Sequence, residues 1–363
     1  MTHMASSDRA RQPALPDLRW ITVWFRAVVI PASRRADAAM LGSAIVGAVI
    51  FGPTAMRPSD LTGLALHDPP VGAVLAATWL LVFVPTARMI VRPRTAYLDS
   101  LPGNPIAARA VSALALVVLQ LPWLVLWLAG EGWLGAVVVA ATTLAAAGLA
   151  SVPAPQLRPR FPAWRRPIAA LAAVHLRALY RRAGDALVRG AGLSVLAGGA
   201  AGLLVRNNRL TGEAAGVLAA SVIAIAVLPA QLGPALVTLA AHRDTAWLAA
   251  ATGISRATRI AALVFAIAWV HVASAAIAAV IAMAVAGASA WLPALAIGTA
   301  IGTALAGARV VLASEASPTA PSRVVIGALV SAAIAVICLS VFDAAGVVAL
   351  IAIAAAALIR VPG

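Results

Sequence analysis

Few polar side chains interrupt the apolar stretches of this sequence, and those that do could contact a transported solute. They are two amides and one imidazole, Gln120, Gln231 and His271. A polar group inside hydrocarbon either hydrogen-bonds to a neighbouring helix or lines the path of a polar solute. Both glutamines lie close to prolines, which free backbone carbonyls that a side-chain amide could satisfy. The three residues are therefore candidates for a substrate path or for helix packing.

The sequence shows no set of residues that could catalyse a reaction or hold a metal ion. All twelve acidic residues lie in predicted loops or at predicted helix ends, so no carboxylate is placed to relay protons or hold Na⁺ within a membrane. The single cysteine, Cys338, provides neither a disulfide framework nor a metal cluster. Because the chain has no Lys, a Walker lysine is impossible. We expect a protein that is not an enzyme and binds no metal or cofactor, with any ATP and Mg²⁺ bound by a partner.

The composition indicates an all-α integral membrane protein. Hydrophobic residues make up 63% of the 363 residues, charged residues make up 11%, and the mean hydropathy is +0.98. A water-soluble fold of this length could not bury so much apolar surface, so the bilayer must be the solvent. Apolar stretches of about 17 residues or more recur along the chain, and each could cross roughly 30 Å of hydrocarbon as a helix.

These stretches predict about ten membrane-spanning helices, which places both termini on one side of the membrane. The last two spans are separated by a very short turn at Asp343, so they could instead form a re-entrant hairpin. The predicted spans cover residues 38–56, 71–91, 108–129, 133–152, 189–206, 214–241, 260–287, 290–308, 323–342 and 344–361.

The distribution of arginine predicts the orientation of the spans. Of the 27 basic residues, only Arg57, Arg206 and Arg209 fall on one side of the predicted membrane. Arg-rich loops of membrane proteins face the cytoplasm, so both termini are predicted to be cytoplasmic. The positive charge is therefore explained by membrane orientation and does not indicate a protein that binds nucleic acid. We expect a multi-pass protein of the cell membrane that contacts membrane lipids.

The chain contains two related segments that are 150 residues apart. Residues 95–109 are TAYLDSLPGNPIAAR, and residues 245–259 are TAWLAAATGISRATR. Each segment lies between the second and third predicted spans of its half. An even number of spans separates the copies, so the two four-helix repeats are predicted to be parallel, with a helix pair following the second. The identical pairs are Thr95/Thr245, Ala96/Ala246, Leu98/Leu248, Gly103/Gly253, Ala107/Ala257 and Arg109/Arg259.

The repeat divides the chain into three parts. Residues 1–152 hold an amphipathic entry helix and the first repeat, residues 153–167 form a Pro- and Arg-rich linker, and residues 168–363 hold the remainder. The third part starts with a second amphipathic segment at 168–188, and the entry helix lies at 18–30. Both amphipathic segments are predicted to lie on the membrane surface.

Two pairs of small residues predict where helices approach each other closely. Gly198 with Gly202, and Gly298 with Gly302, are spaced four residues apart within predicted spans. Such pairs lie on one side of a helix and allow two backbones to come close together.

An amphipathic entry helix, two spans, a segment of the form LxSLPxxxxxxxR and then further spans together resemble the membrane subunits of ABC exporters of the type-two permease family. In that family the segment forms a coupling helix that docks into the ATP-binding subunit. The matching residues in the first copy are Leu98, Ser100, Leu101, Pro102 and Arg109. The second copy keeps Leu248, Arg256 and Arg259 but has Ala250, Ala251 and Thr252 in place of Ser, Leu and Pro.

This resemblance implies a permease subunit that moves a hydrophobic or amphipathic compound out of the cytoplasm, powered by cytoplasmic ATP-binding subunits. Tyr97 and Trp247 would then be aromatic anchors for the partner; otherwise they are ordinary interfacial aromatics. If both copies dock, one chain forms a pseudo-dimeric unit, and a homodimer is the other arrangement. The alternative function is a secondary or passive transporter without an ATPase partner.

Overall fold

The computed structural model describes residues 18–52, 56–92, 105–153, 166–287, 289–314 and 320–359. Every regular element in these ranges is a helix, which confirms the predicted all-α class. Elements of the first half are α1 (Leu18–Trp24), a π-helical turn (Phe25–Val29), α2 (Ile30–Phe51), α3 (Pro58–His67), α4 (Pro69–Val91), α5 (Pro105–Leu119), α6 (Leu121–Glu131) and α7 (Trp133–Ser151).

The second half begins with the longest helix of the described chain. Its elements are α8 (Pro167–Asn207), α9 (Gly212–Ala226), α10 (Leu228–Asp244), α11 (Ala246–Ala251), α12 (Arg256–Ala286), α13 (Trp291–Ala313), α14 (Ala320–Phe342) and α15 (Ala345–Ile359).

Six of the described helices are long and apolar enough to cross a membrane, and the number rises to eight if each of two bent pairs is one span. The bent pairs are α5 with α6, at 64°, and α9 with α10, at 52°. The other two predicted spans correspond to shorter apolar segments. These are Ala39–Phe51, which is part of α2, and Ala345–Ile359, which is α15. The chain is therefore a multi-pass membrane protein, and the number ten remains a prediction.

Prolines account for the two bends. Pro122 and Pro229 each lie at the first or second position of the helix that follows the break. Proline has no N–H for the preceding turn, and its ring clashes with the carbonyl four residues earlier. Each predicted continuous span, 108–129 and 214–241, is consequently two helices that meet at an angle.

The amphipathic segment 168–188 adjoins the predicted span 189–206 within α8, and its place on the membrane surface stays a prediction. Helix α8 consists of two helical parts that meet at a kink at Ala183 (φ −125°, ψ 18°). The apolar side of the amphipathic segment is buried against α12: Leu171 and Ala172 pack on Ala262. Helix α12 is longer than one span, and this part of α8 covers some of its apolar surface.

Two further differences concern the first half. The entry helix at 18–30 runs through the π-helical turn into α2 without a break. Residues 58–67, predicted to be a loop, form α3, in which Pro58 opens the helix and the Asp60 carboxylate accepts a hydrogen bond from the Arg57 N–H at 2.8 Å. Proline at the first turn and an acidic residue at the third position are standard helix-start signals.

Helix α8 lies in the middle of the bundle and packs against α2, α4, α9, α10 and α12. Two of its glycines, Gly198 and Gly202, lie against the backbone of α12, where a Cβ on Gly202 would be 2.8 Å from the Ala282 carbonyl oxygen. A third, Gly192, lies against Leu81 and Val82 of α4. Small residues on several sides thus allow the backbone of α8 to lie close to the backbones of its neighbours.

The predicted close approach of helices is confirmed at both glycine pairs. On α13, Gly298 receives the side chain of Val347 and Gly302 that of Leu350, both from α15. A Cβ on Gly302 would be 2.6 Å from Leu350 Cγ. These contacts attach the last helix to the second half.

We expect the substitution Gly198→Ala to lower the free energy of unfolding by about 1–3 kcal/mol, because the added methyl group would overlap the Ala278 carbonyl oxygen. The matched control is Gly148→Ala on α7, where a Cβ meets no atom within 4 Å. That control should be neutral or slightly stabilising, since Ala is the better helix former. Denaturant titration in detergent measures both variants, and equal stability of the two would contradict this packing.

Candidate functional site

The second copy of the repeated motif forms a short helix between two long ones. Helix α10 ends at Asp244, α11 (Ala246–Ala251) follows directly, and Gly253 then turns the chain with φ +67°. A positive φ of this size favours glycine. Helix α12 starts after Ser255, whose hydroxyl oxygen accepts a hydrogen bond from the Thr258 N–H at 3.3 Å. The motif is therefore a helical stub held between two helix ends.

The stub presents two large apolar side chains away from the protein. Trp247 is 70% exposed and Leu248 is 46% exposed, whereas the next residue, Ala249, is buried. The Ile254 N–H donates to the Ala249 carbonyl oxygen at 2.9 Å, which fixes the stub to the following turn. An exposed Trp on a fixed support can act as an anchor for a partner or for the membrane interface.

The predicted docking residues are only partly covered by the described chain. Tyr97, Leu98, Ser100, Leu101 and Pro102 lie outside the described residues. Arg109 is exposed on α5, Arg256 is exposed at the start of α12, and Arg259 is half-buried one turn later. Of the predicted docking residues in the described chain, Trp247, Leu248, Arg109 and Arg256 are thus exposed.

Gln120, one of the three candidates for a substrate path, bridges two helices at the bend between α5 and α6. Its Oε1 accepts a hydrogen bond from Trp79 Nε1 at 3.2 Å, and its Nε2 donates to Thr143 Oγ1 at 2.9 Å. The side chain is buried. Both ends of the amide are thus bonded within the protein, which is the arrangement of a packing residue.

The other two candidates lie elsewhere in the bundle. His271 is buried on α12, where its Nδ1 lies 3.0 Å from the Ile267 carbonyl oxygen and its ring faces Gly307 of α13. Gln231 is half-buried on α10. His271 contacts helices of the second half, whereas Gln120 contacts helices of the first, so these two residues do not form one site.

Arginines at one end of the bundle bind the last carbonyl groups of neighbouring helices, a role that the sequence analysis did not identify. Arg88 of α4 donates to Leu149 O of α7 at 3.3 Å, and Arg243 of α10 donates to Ser314 O after α13 at 2.8 Å. A cation at a helix C-terminus also interacts favourably with the helix dipole. In each half, the second predicted span therefore caps the fourth. We call this end of the bundle the Arg-rich end.

Acidic residues connect elements at the opposite end. Asp68 pairs with Arg206 at 2.6 Å and so joins the two halves. The Glu213 carboxylate accepts a hydrogen bond from the Ala344 N–H at 2.9 Å, which holds the turn between α14 and α15. Arginines at one end of the bundle and acidic residues at the other thus both form contacts between helices.

Within the described ranges, no group of three or more His, Cys, Asp or Glu side chains is placed to hold a metal ion. Comparison with protein families, with curated proteins and with solved structures finds no match to this chain. The function is therefore argued from the arrangement of its own residues.

We expect Gln120→Met to destabilise the protein by about 1–2 kcal/mol, because the isosteric side chain leaves Trp79 Nε1 and Thr143 Oγ1 without these bonds. Gln231→Met is the matched control and should change stability by less than about 0.5 kcal/mol. Thermal unfolding in detergent compares the two. A Gln120→Met variant that keeps its stability but loses transport would instead assign this residue to the substrate path.

Proposed function

We propose that this chain is the membrane-spanning permease subunit of an ATP-driven exporter of the ABC type, moving a hydrophobic or amphipathic compound out of the cytoplasm. The observation that carries the proposal is the helical stub α11. It lies between the second and third predicted spans of its half and exposes Trp247 and Leu248. It occupies the position at which the type-two permease family has its coupling helix.

The connections of α11 suit the transmission of force. Thr245 alone joins it to α10, and residues 252–255 join it to α12. Because these connections are short, a partner that displaces α11 would also move α10 and α12. Both helices pack on α8, so the displacement would reach the centre of the bundle.

The contacts between the two halves support the parallel repeat that the proposal includes. The first helix of each half, α2 or α8, contacts both the first and the second predicted span of the other half: α2 touches α8, α9 and α10, and α8 touches α2 and α4. This reciprocal pattern is typical of a twofold axis. Gly42 and Gly192, which are 150 residues apart, both lie at this interface, against Leu193 and against Leu81 with Val82.

The repeat is not exact. The third predicted span is bent in the first half, and the second is bent in the second half. The closing pair, α14 and α15, packs on α9 and α13 of the second half. We infer a pseudo-dimeric unit of ten spans with both termini in the cytoplasm of the cell, in which the second half carries an additional helix pair.

The proposal assigns ATP and Mg²⁺ to cytoplasmic partner subunits and no catalysis to this chain. The two copies of the motif would each bind one such subunit. Affinity purification from native membranes should therefore recover a nucleotide-binding protein at a ratio of two per chain. A chain that is recovered alone and transports in liposomes without ATP would contradict the proposal and would favour a secondary or passive transporter.

The contribution of the stub is testable with a matched pair of exposed tryptophans. Trp247→Ala together with Leu248→Ala should reduce recovery of the ATP-binding partner about tenfold or more, since a buried aromatic anchor contributes 2 kcal/mol or more, roughly, to binding. Trp133→Ala, at a residue that is 74% exposed at the other end of the bundle, should leave recovery unchanged. Replacing Leu101 and Pro102 with Asp tests the first copy in the same assay.

Equal recovery from the Trp247/Leu248 and Trp133 variants would remove the docking role from α11. Thermal unfolding of each purified variant provides the control for folding. Because the substituted side chains are exposed, their stability should stay within about 0.5 kcal/mol of the parent.

A further inference from the structure

Two helices of the bundle are longer than one membrane crossing, and their excess lies at the same end. Helix α8 has 41 residues and α12 has 31, whereas about 20 helical residues cross the hydrocarbon. The two helices run side by side in the same direction, since Ala172 packs near Ala262 and Gly198 near Ala278. Both therefore project from the membrane together.

The excess of α8 is residues 167–182, which we call the α8 extension. Its outer side carries the exposed residues Arg177, Arg181 and Arg182. Exposed guanidinium groups are not stable in hydrocarbon, so the extension lies in water beyond the uncharged part of α8 between Arg189 and Arg206. Its inner side packs on α12, and His175 contacts His242 near the end of α10.

A pair of histidines lies in the middle of this packing. His175 of the α8 extension and His242 of α10 have ring centroids 5.7 Å apart. His175 is 1% exposed and His242 is 3% exposed. Apolar contacts flank the pair on both sides: Leu171 and Ala172 with Ala262, and Leu179 and Ala183 with Val270.

The surroundings of the pair disfavour positive charge. Each ring lies near groups that oppose a positive charge on it: His242 and the Arg259 guanidinium of α12 act on His175, and Arg259 acts on His242. The nearby Asp244 carboxylate is paired with Arg182 at 2.9 Å on the surface. A proton on either imidazole would therefore add a second cation beside Arg259 in a buried place.

The pKa values follow from this environment. Burial lowers the pKa of His175 from 6.5 to about 4, and His242 and Arg259 lower it as well, while the backbone of Ala262 acts in the opposite direction. Burial, followed by Arg259, lowers the pKa of His242 to about 4. In the packed structure both rings are thus neutral at pH 7.

Ala183 provides a place about which the extension can move. Its φ and ψ of −125° and 18° are not helical, although helix continues on both sides. The kink separates the α8 extension from the part of α8 that lies in the membrane. An interrupted helix bends more easily at the interruption than elsewhere.

We propose that the α8 extension is a proton-operated latch, in which protonation of the His175–His242 pair releases residues 167–182 from α10 and α12 by rotation about Ala183. Release would uncover the junction of α10 and α12 on either side of α11, the stub that we assign to partner docking. The latch itself does not depend on that assignment, because it concerns only the contacts of the extension.

The direction of the pH effect follows from linkage. An opened extension exposes both imidazoles to water, where their pKa is near 6.5, so the open state binds more protons than the closed state between about pH 6.5 and pH 4. The closed state consequently loses stability as the pH falls through this window. The ratio of open to closed should rise by up to about tenfold per pH unit for each histidine.

Spin-label distances on the full chain in lipid nanodiscs test the latch. Labels go on Val174→Cys and Phe265→Cys, which are 39% and 48% exposed on the extension and on α12, in a Cys338→Ala background. We expect one short distance at pH 7.5 and a growing population of longer distances toward pH 5. Replacing His175 and His242 with Leu should retain the short distance at both pH values.

His67→Asn is the matched control, since this exposed histidine lies on α3 at the other end of the bundle, and it should open as the parent does. A parent whose distances are the same at pH 7.5 and pH 5, or a double-Leu variant that opens like the parent, would overturn the proposal. If the double-Leu variant does not fold, hydrogen exchange of the parent decides. Amides of 168–182 must lose protection relative to those of 190–205 on acidification, after correction for intrinsic rates, and equal protection would overturn the latch.

Discussion

The close approach of α8 to the helices around it is the contact on which the rest of the bundle depends. A helix surrounded by α2, α4, α9, α10 and α12 gains little from the hydrophobic effect inside a membrane, since lipid is as apolar as its neighbours. Its stability must come from dispersion at short distance, which Gly192, Gly198 and Gly202 permit. The same contacts bring the two halves together, so the reciprocal interface and the centre of the bundle have one physical origin.

Helices α8 and α12 are longer than the thickness of the hydrocarbon, and this excess length lies at one end of the bundle. At about 1.5 Å per residue, the two parts of α8 together measure roughly 60 Å and α12 is roughly 46 Å long, and both exceed the hydrocarbon thickness. Their excess lies at the Arg-rich end, where arginines bind helix C-termini and α11 exposes Trp247. The opposite end has short connections held by Asp68 and Glu213. The partner docking proposed above would therefore take place at the Arg-rich end.

Apolar runs were sufficient to predict an all-helical membrane protein, and the four-residue spacing of glycines predicted the close contacts at Gly198 and Gly302. Pro122 and Pro229 indicated that these two spans could be kinked, but hydropathy alone predicted continuous spans and not two helices meeting at 64° and 52°. The packing of the segment 168–188 on α12 was not predicted, since its apolar stripe could face lipid or protein equally well. The bond from Arg88 to α7 and the pairing of His175 with His242 join residues more than 60 positions apart, which no local pattern encodes.

We propose a single chain with two parallel halves and both termini on one side. Labelling of single cysteines, in a Cys338→Ala background, with a maleimide that does not cross membranes tests it most directly in intact cells. We expect labelling at Glu131→Cys, Arg209→Cys and Asp343→Cys, and labelling at Arg92→Cys and Trp247→Cys only after the membrane is opened. Labelling of Arg92→Cys and Trp247→Cys from opposite sides would show that the halves are inverted and would contradict the parallel arrangement.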